Sequence, residues 1–114
     1  MKFKLSKELE SELKKIYIDY AEKHKNDEDK ILVPCEDESY VVTLNSCVDV
    51  AKNFIRIPTE YYCGEKVYPR TINIISDYTY YEKKCVYEIL KEYDTDLSRE
   101  ISKYLREELK YACE

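Results

Sequence analysis

Tyr61-Tyr62 and Tyr78-Thr79-Tyr80-Tyr81 are the densest aromatic groups in a chain of 114 residues that holds 13 tyrosines and no tryptophan. A phenol ring joins apolar area to a polar tip, so an exposed tyrosine anchors a protein interface at low entropic cost. The same ring stacks on an unpaired base when cations stand nearby. Arg56, Lys66 and Arg70 lie close to these tyrosines in sequence. Tyr61, Tyr62, Tyr78, Tyr80, Arg56 and Arg70 are therefore the candidate partner-binding residues. Adjacent strand residues face opposite sides, so some of these rings are expected to be core.

His24 is the only histidine, and it falls on the apolar side of an expected first helix, near its C-terminus. An imidazole there could act as a general base or a pH switch. No Ser or Cys nucleophile is linked to it by a motif, and the expectation is a helix-end cation partly covered by packing. Asp27-Glu28-Asp29 raises the question of a cation site, and so does the set Asp94, Asp96 and Ser98. The second set starts like a calcium loop. Arg99 stands where that loop needs glycine, and Leu105 where it needs a bidentate glutamate. Both sets read as solvated loop and capping acids, as do Glu36, Asp37 and Glu38.

Cys35, Cys47, Cys63, Cys85 and Cys113 are odd in number and irregular in spacing. No Cys-x-x-Cys or Cys/His cluster suggests zinc. They read as reduced thiols, several of them small core hydrophobes. One or two disulfides remain the alternative. Cys63 precedes a turn at Gly64 and is expected to be exposed and inert. Gly64 is the sole glycine, whereas cradles for phosphates or dinucleotides need several. No catalytic residue, metal or cofactor is expected, and the chain is not read as an enzyme.

The positioning elements follow from composition and period. Hydrophobic residues make up 44% of the chain and charged residues 38%, which fits one globular domain over residues 1–114. The net charge of −5 opposes free binding to duplex nucleic acid. No apolar run reaches membrane-spanning length, and Met1 to Ser6 lack the apolar core of a signal peptide, so a cytoplasmic protein with no membrane partner is expected. The richness in Lys, Glu, Ile and Tyr resembles coding from an AT-rich genome, viral or parasitic.

Leu9, Leu13, Ile16, Tyr17, Tyr20 and His24 predict a helix over 6–25 with Ser6 as its N-cap. Ile31–Cys35 predicts an edge strand and Tyr40–Leu44 its return. A capping box at Ser46 and Asp49 opens a short turn, and Phe54–Ile57 reads as strand up to Pro58. Residues 61–66 read as a hairpin turn leading into a strand over 67–75. Ser76 or Asp77 caps a helix carrying Tyr78, Tyr81, Cys85, Ile89 and Tyr93. Asp94 to Asp96 start a last helix with Leu97, Ile101, Tyr104, Leu105, Glu108 and Ala112 on one side. The expected fold class is α+β, with an N-terminal helix, a small antiparallel hairpin-rich sheet and two C-terminal helices. Leu13, Ile16, Val42, Ile72, Ile89 and Leu105 are expected to share one core.

Ile31-Leu32-Val33-Pro34-Cys35-Glu36-Asp37 followed by Ser39-Tyr40-Val41-Val42 resembles the opening hairpin of the Skp1/elongin-C branch of the BTB fold. Thr71-Ile72-Asn73-Ile74 resembles that family's third strand. Lys84-Cys85-Val86-Tyr87, Glu100-Ile101 and Leu105 are similar to its later helices. The chain departs from the family in its N-terminal helix and in the stretch Ser46 to Asn53, where the family has a long helix. The resemblance implies a non-enzymatic adaptor that binds a helical motif of a partner. Composition and resemblance together give a binding protein acting through a tyrosine-rich surface on a protein partner, or on itself as a homodimer through an edge strand. An RNA- or ribonucleoprotein-bound factor with stacking tyrosines is the alternative. A viral or parasite-encoded inhibitor of a host factor is a third reading, which differs from the first only in its partner.

Overall fold

The computed structural model describes residues 3, 5–33, 41–58, 60–69 and 75–109, with all of their side chains except those of Tyr61 and Pro69. Helix α1 runs Lys7–Lys23. Ser6 caps it by accepting the Leu9 N–H at 3.3 Å. The expected apolar stripe is its buried side, with Leu13, Ile16, Tyr17 and Tyr20 all in the core.

Strands β1 (Ile31–Val33) and β2 (Val42–Thr43) then pair antiparallel. Ile31 stands opposite Thr43 and Val33 opposite Val42, so the ladder carries an irregularity. The expected extension of β1 through Cys35 and the expected start of β2 at Tyr40 lie outside the described residues, whereas Val41 is described and not part of the strand, and Leu44, expected to end it, opens a helix.

The next element corrects the sequence reading. Residues Leu44–Arg56 form a 13-residue helix, α2, not a short turn followed by a strand. Leu44, Cys47, Val48, Ala51 and Phe54 recur at helical spacing, and all five are buried. The β-branched, aromatic look of Phe54–Ile57 is a local preference, and burial of that stripe overrides it. The cap is Thr43, whose Oγ1 accepts the Ser46 N–H at 3.2 Å, and not the Ser46/Asp49 box. Ile57 is extended (φ −79°, ψ 121°), as the residue before Pro58 must be, and the helix stops there.

Strands β3 (Glu60–Cys63) and β4 (Lys66–Pro69) form a second antiparallel pair. Among the described residues the strands thus make two separate pairs and not one small sheet, because Phe54–Arg56, expected as strand between them, are helical. The expected strand over 67–75 is described only to Pro69. At its far end Ile75–Asp77 is a 3₁₀ turn that buries Ile75.

Helix α3 spans Tyr80–Leu90. Its cap is Thr79, where Ser76 or Asp77 had been the expectation. Thr79 Oγ1 accepts the Glu82 N–H, and Glu82 Oε1 accepts the Thr79 N–H, both at 3.1 Å. This is a reciprocal capping box, which satisfies two end donors at once. Helix α4 spans Asp96–Leu109, with Thr95 Oγ1 accepting the Ser98 N–H at 3.0 Å. Glu108, the acid in its apolar stripe, accepts the Tyr104 hydroxyl proton at 2.7 Å and faces Lys83 at 3.9 Å. Burial and this bond push the Tyr104 phenol up to about 12.

Among the described residues the architecture is a four-helix body with two small strand pairs, a mixed α+β fold. α1 packs on α2, α2 on α3 and α3 on α4, while β2 lies against α2 and α3. Leu13, Ile16, Val42, Ile89 and Leu105 meet in the one core as expected. Ile72 lies outside the described residues. The Tyr17 ring meets Phe54 edge-on at 4.8 Å, joining α1 to α2 through aromatic contact.

Cys47 and Cys85 are buried free thiols and Cys63 is an exposed one. The bond Cys47 makes with Cys85, together with burial, pushes the Cys47 thiol far up. Cys35 and Cys113 lie outside the described residues. A core of this extent needs no covalent staple, so thermal melts with and without reductant should coincide. A drop of about ten degrees on reduction would reveal a cross-link worth a few kcal/mol and reject this.

Candidate functional site

The hairpin β3–β4 carries the most exposed tyrosine among the described residues. Tyr61 opposes Tyr68, Tyr62 opposes Val67, and Cys63 opposes Lys66 across the Gly64-Glu65 turn. Gly64 has φ +66° and sits at the first central position, where a type II′ turn takes glycine. Residues 62–68 are all exposed, with Tyr62 at 71% and Val67 at 48%. No helix packs broadly on either strand. An ion pair of 3.6 Å between Lys7 and Glu60 ties the base of the hairpin to the start of α1.

The register decides what the hairpin edges can offer. In a two-residue hairpin the pair beside the turn exchanges hydrogen bonds, and the pairs alternate from there. Cys63/Lys66 and Tyr61/Tyr68 are then the bonded pairs. Glu60 and Tyr62 turn their N–H and C=O groups outward from β3. On β4, Val67 does the same, but Pro69 has no N–H to give, which blunts that edge. Among the described residues no strand pairs with the outer side of β3, which is the edge able to accept another strand, and Tyr62 of β3 and Val67 of β4 form a close apolar pair.

A second feature is a cleft of about 390 Å³ between α2 and α3. Phe54, Ile57 and Val50 line it from α2 and the residue after it, and Tyr78 and Tyr81 from the α3 side. Asp49 and Glu82 are its charged residues. Burial pushes the Tyr81 phenol above its ordinary value. Burial pushes the Tyr78 phenol up, and the carboxylates of Glu82 and Glu10 push it further. Near this region two polar atoms are buried with no hydrogen-bond partner among the described residues, Tyr17 Oη and Glu10 Oε1.

His24 is a clasp between the ends of α1 and α3. Its Nδ1 lies 2.6 Å from Asp27 Oδ2 and its Nε2 2.9 Å from Glu92 Oε2. With a proton on each nitrogen the ring donates to both carboxylates. The Tyr20 ring packs on it at 4.5 Å, and Tyr93 donates its hydroxyl proton to Asp19 at 2.7 Å beside it. The helix-end position expected from sequence is the observed one. The acid sets also take structural partners. Asp29 Oδ1 accepts the Asn45 N–H at 2.9 Å, and Arg99 pairs with both Asp94 and Asp96. Among the described residues no group of three or more His, Cys, Asp or Glu is placed to hold a metal ion, and no helix is long and apolar enough to cross a membrane.

The sequence-derived candidates therefore separate. Tyr62 is on the hairpin, Tyr78 is half-buried in the cleft, and Tyr80 is 48% exposed at the first position of α3. Arg56 is exposed in the last turn of α2. The side chain of Tyr61 and the whole of Arg70 lie outside the described residues. The cleft was not foreseen, because its walls come from segments about thirty residues apart, one of which was read as strand. No protein-family model, curated protein or solved structure matches the chain.

Proposed function

We propose that this chain is a non-catalytic binding protein whose hairpin β3–β4 engages an extended segment of a protein partner. One observation carries the reading: Tyr62 and Val67 present an exposed apolar pair on a two-stranded unit with an open β3 edge. An isolated hairpin is marginal in water and gains stability from a third strand or a covering surface. Strand addition would supply both, with backbone bonds to Glu60 and Tyr62 giving affinity and the tyrosine ring giving specificity. The BTB resemblance likewise implies a non-enzymatic adaptor, but one that binds a helical motif and not an extended segment. Helix α2, directly after β1–β2, also removes one of the two departures from that family.

The test pairs two substitutions at one position, using the partner recovered from the native host by pull-down. Tyr62→Ala removes the ring and should weaken binding by about 1–3 kcal/mol while leaving the melting temperature nearly unchanged. Tyr62→Pro removes the outward N–H as well, without breaking a ladder bond of the hairpin, and should weaken binding further. Equal binding by both variants and the parent chain would refute the hairpin as the contact. Steep weakening with salt would favour the RNA reading, in which Tyr62 stacks on a base. Concentration-dependent dimers lost in Tyr62→Pro would make the partner a second copy of the chain.

A further inference from the structure

We propose that the cleft between α2 and α3 is a binding site for an arginine side chain of a partner protein. This shares with the hairpin reading the premise of a protein partner, but it uses a different surface and is tested without the hairpin.

The shape and the charge point the same way. A volume of about 390 Å³ exceeds what one side chain needs and lies at the small end of ligand pockets. The walls are aromatic, with Phe54 buried at the floor and Tyr78 and Tyr81 half-buried at the sides. Two carboxylates line the cleft, Asp49 from α2 and Glu82 from α3, and among the described residues no Lys or Arg does. Glu10, buried on α1, adds a third negative group that Tyr78 senses. Lys14 of α1 donates from its ammonium to the Ile57 carbonyl at 3.2 Å, and it also acts on Glu10.

The lining is also held in place. Glu82 Oε1 is fixed by the Thr79 N–H in the capping box, which leaves Oε2 for an incoming donor. Aromatic faces between two carboxylates suit a guanidinium better than an ammonium. The planar cation stacks on a phenol while its forked N–H groups reach carboxylate oxygens. A lysine ammonium is a compact, more strongly hydrated charge and loses the stacking.

The probe is the capped peptide acetyl-Gly-Arg-Gly-amide, titrated into the whole isotope-labelled chain and followed by amide NMR shifts. Expected are shifts centred on Asp49, Tyr78, Tyr81 and Glu82, with a dissociation constant on the order of millimolar for so small a contact. The lysine analogue should bind several-fold more weakly, and the citrulline analogue, a neutral isostere of arginine, about tenfold or more weakly. Asp49→Asn and Glu82→Gln should each weaken the arginine peptide by about tenfold. Glutamine also serves in a capping box, so Glu82→Gln removes the charge and keeps the helix cap. Melting curves check that both variants fold. Equal binding of the arginine and citrulline peptides would overturn the proposal. So would unchanged affinity in both folded variants, or shifts confined to other surfaces. Tighter binding of free arginine than of the capped peptide would overturn a protein as its source.

Discussion

Leu13→Ala is expected to lower stability by about 2–5 kcal/mol, enough to bring a domain of ordinary stability close to unfolding. Leu13 is fully buried and sits midway along α1, on the side that packs against α2. Truncation removes the transfer energy of its methyl groups. It also leaves a hole that neighbours such as Tyr17, held edge-on against Phe54, cannot easily fill. Ile18 is the control on the opposite face of the same helix, 48% exposed. Ile18→Ala should change stability by no more than about 0.5 kcal/mol. Denaturant midpoints decide the matter. A midpoint for Leu13→Ala that barely moves would mean that α1 does not pack on the body of the molecule.

Helices α1 and α4 were legible in the sequence because a capping residue and an apolar stripe agreed there. Ser6 precedes Leu9, Leu13 and Ile16, and Thr95 precedes Leu97, Ile101 and Leu105. Helix α2 was not read, although its stripe was equally present. Phe54-Ile55-Arg56-Ile57 has strong strand preference, and what defeats it is burial between α1 and α3, a tertiary fact. The start of α3 shows a milder form of the same problem. Ser76, Asp77 and Thr79 are all good caps, and only the reciprocal partner Glu82 singles out Thr79. Reading Thr79-x-x-Glu82 as a capping box would have placed the helix correctly.

The candidate sites divide along the same line. A hairpin turn at Gly64 followed from the sole glycine, which is local information, but Tyr61 and Tyr62, expected in that turn, belong to strand β3. The cleft did not follow, because Asp49 and Glu82 come together only when α2 packs on α3. Tyr78 was singled out as an exposed anchor. It is instead a half-buried wall, and its proximity to Glu82 and Glu10 became visible only in three dimensions.

Glu10→Gln should stabilise the fold, increasingly so toward neutral pH. Glu10 is only 6% exposed, and its Oε1 is buried without a hydrogen-bond partner among the described residues. Burial raises its carboxyl above the ordinary value of 4.5, against the opposing pull of Lys14 and Lys7. The folded chain therefore keeps the Glu10 proton to higher pH than the unfolded chain does. Between 4.5 and the raised value the native state binds more protons, so this residue's contribution to stability falls as the pH rises through that window. Below the window both states are protonated, and the parent chain and Glu10→Gln should differ little. Above it the parent buries a charge and the variant buries a neutral amide. The gap should then open in favour of the variant, because a buried charge costs more than a buried neutral polar group. Comparing the two chains at each pH cancels the other titrating groups, so the pH dependence of the gap belongs to Glu10. Denaturant unfolding from below pH 4.5 up to neutral measures it. A variant that is less stable than the parent at neutral pH would show that the attraction of Lys14 and Lys7 outweighs burial, and that the carboxylate is a structural anion.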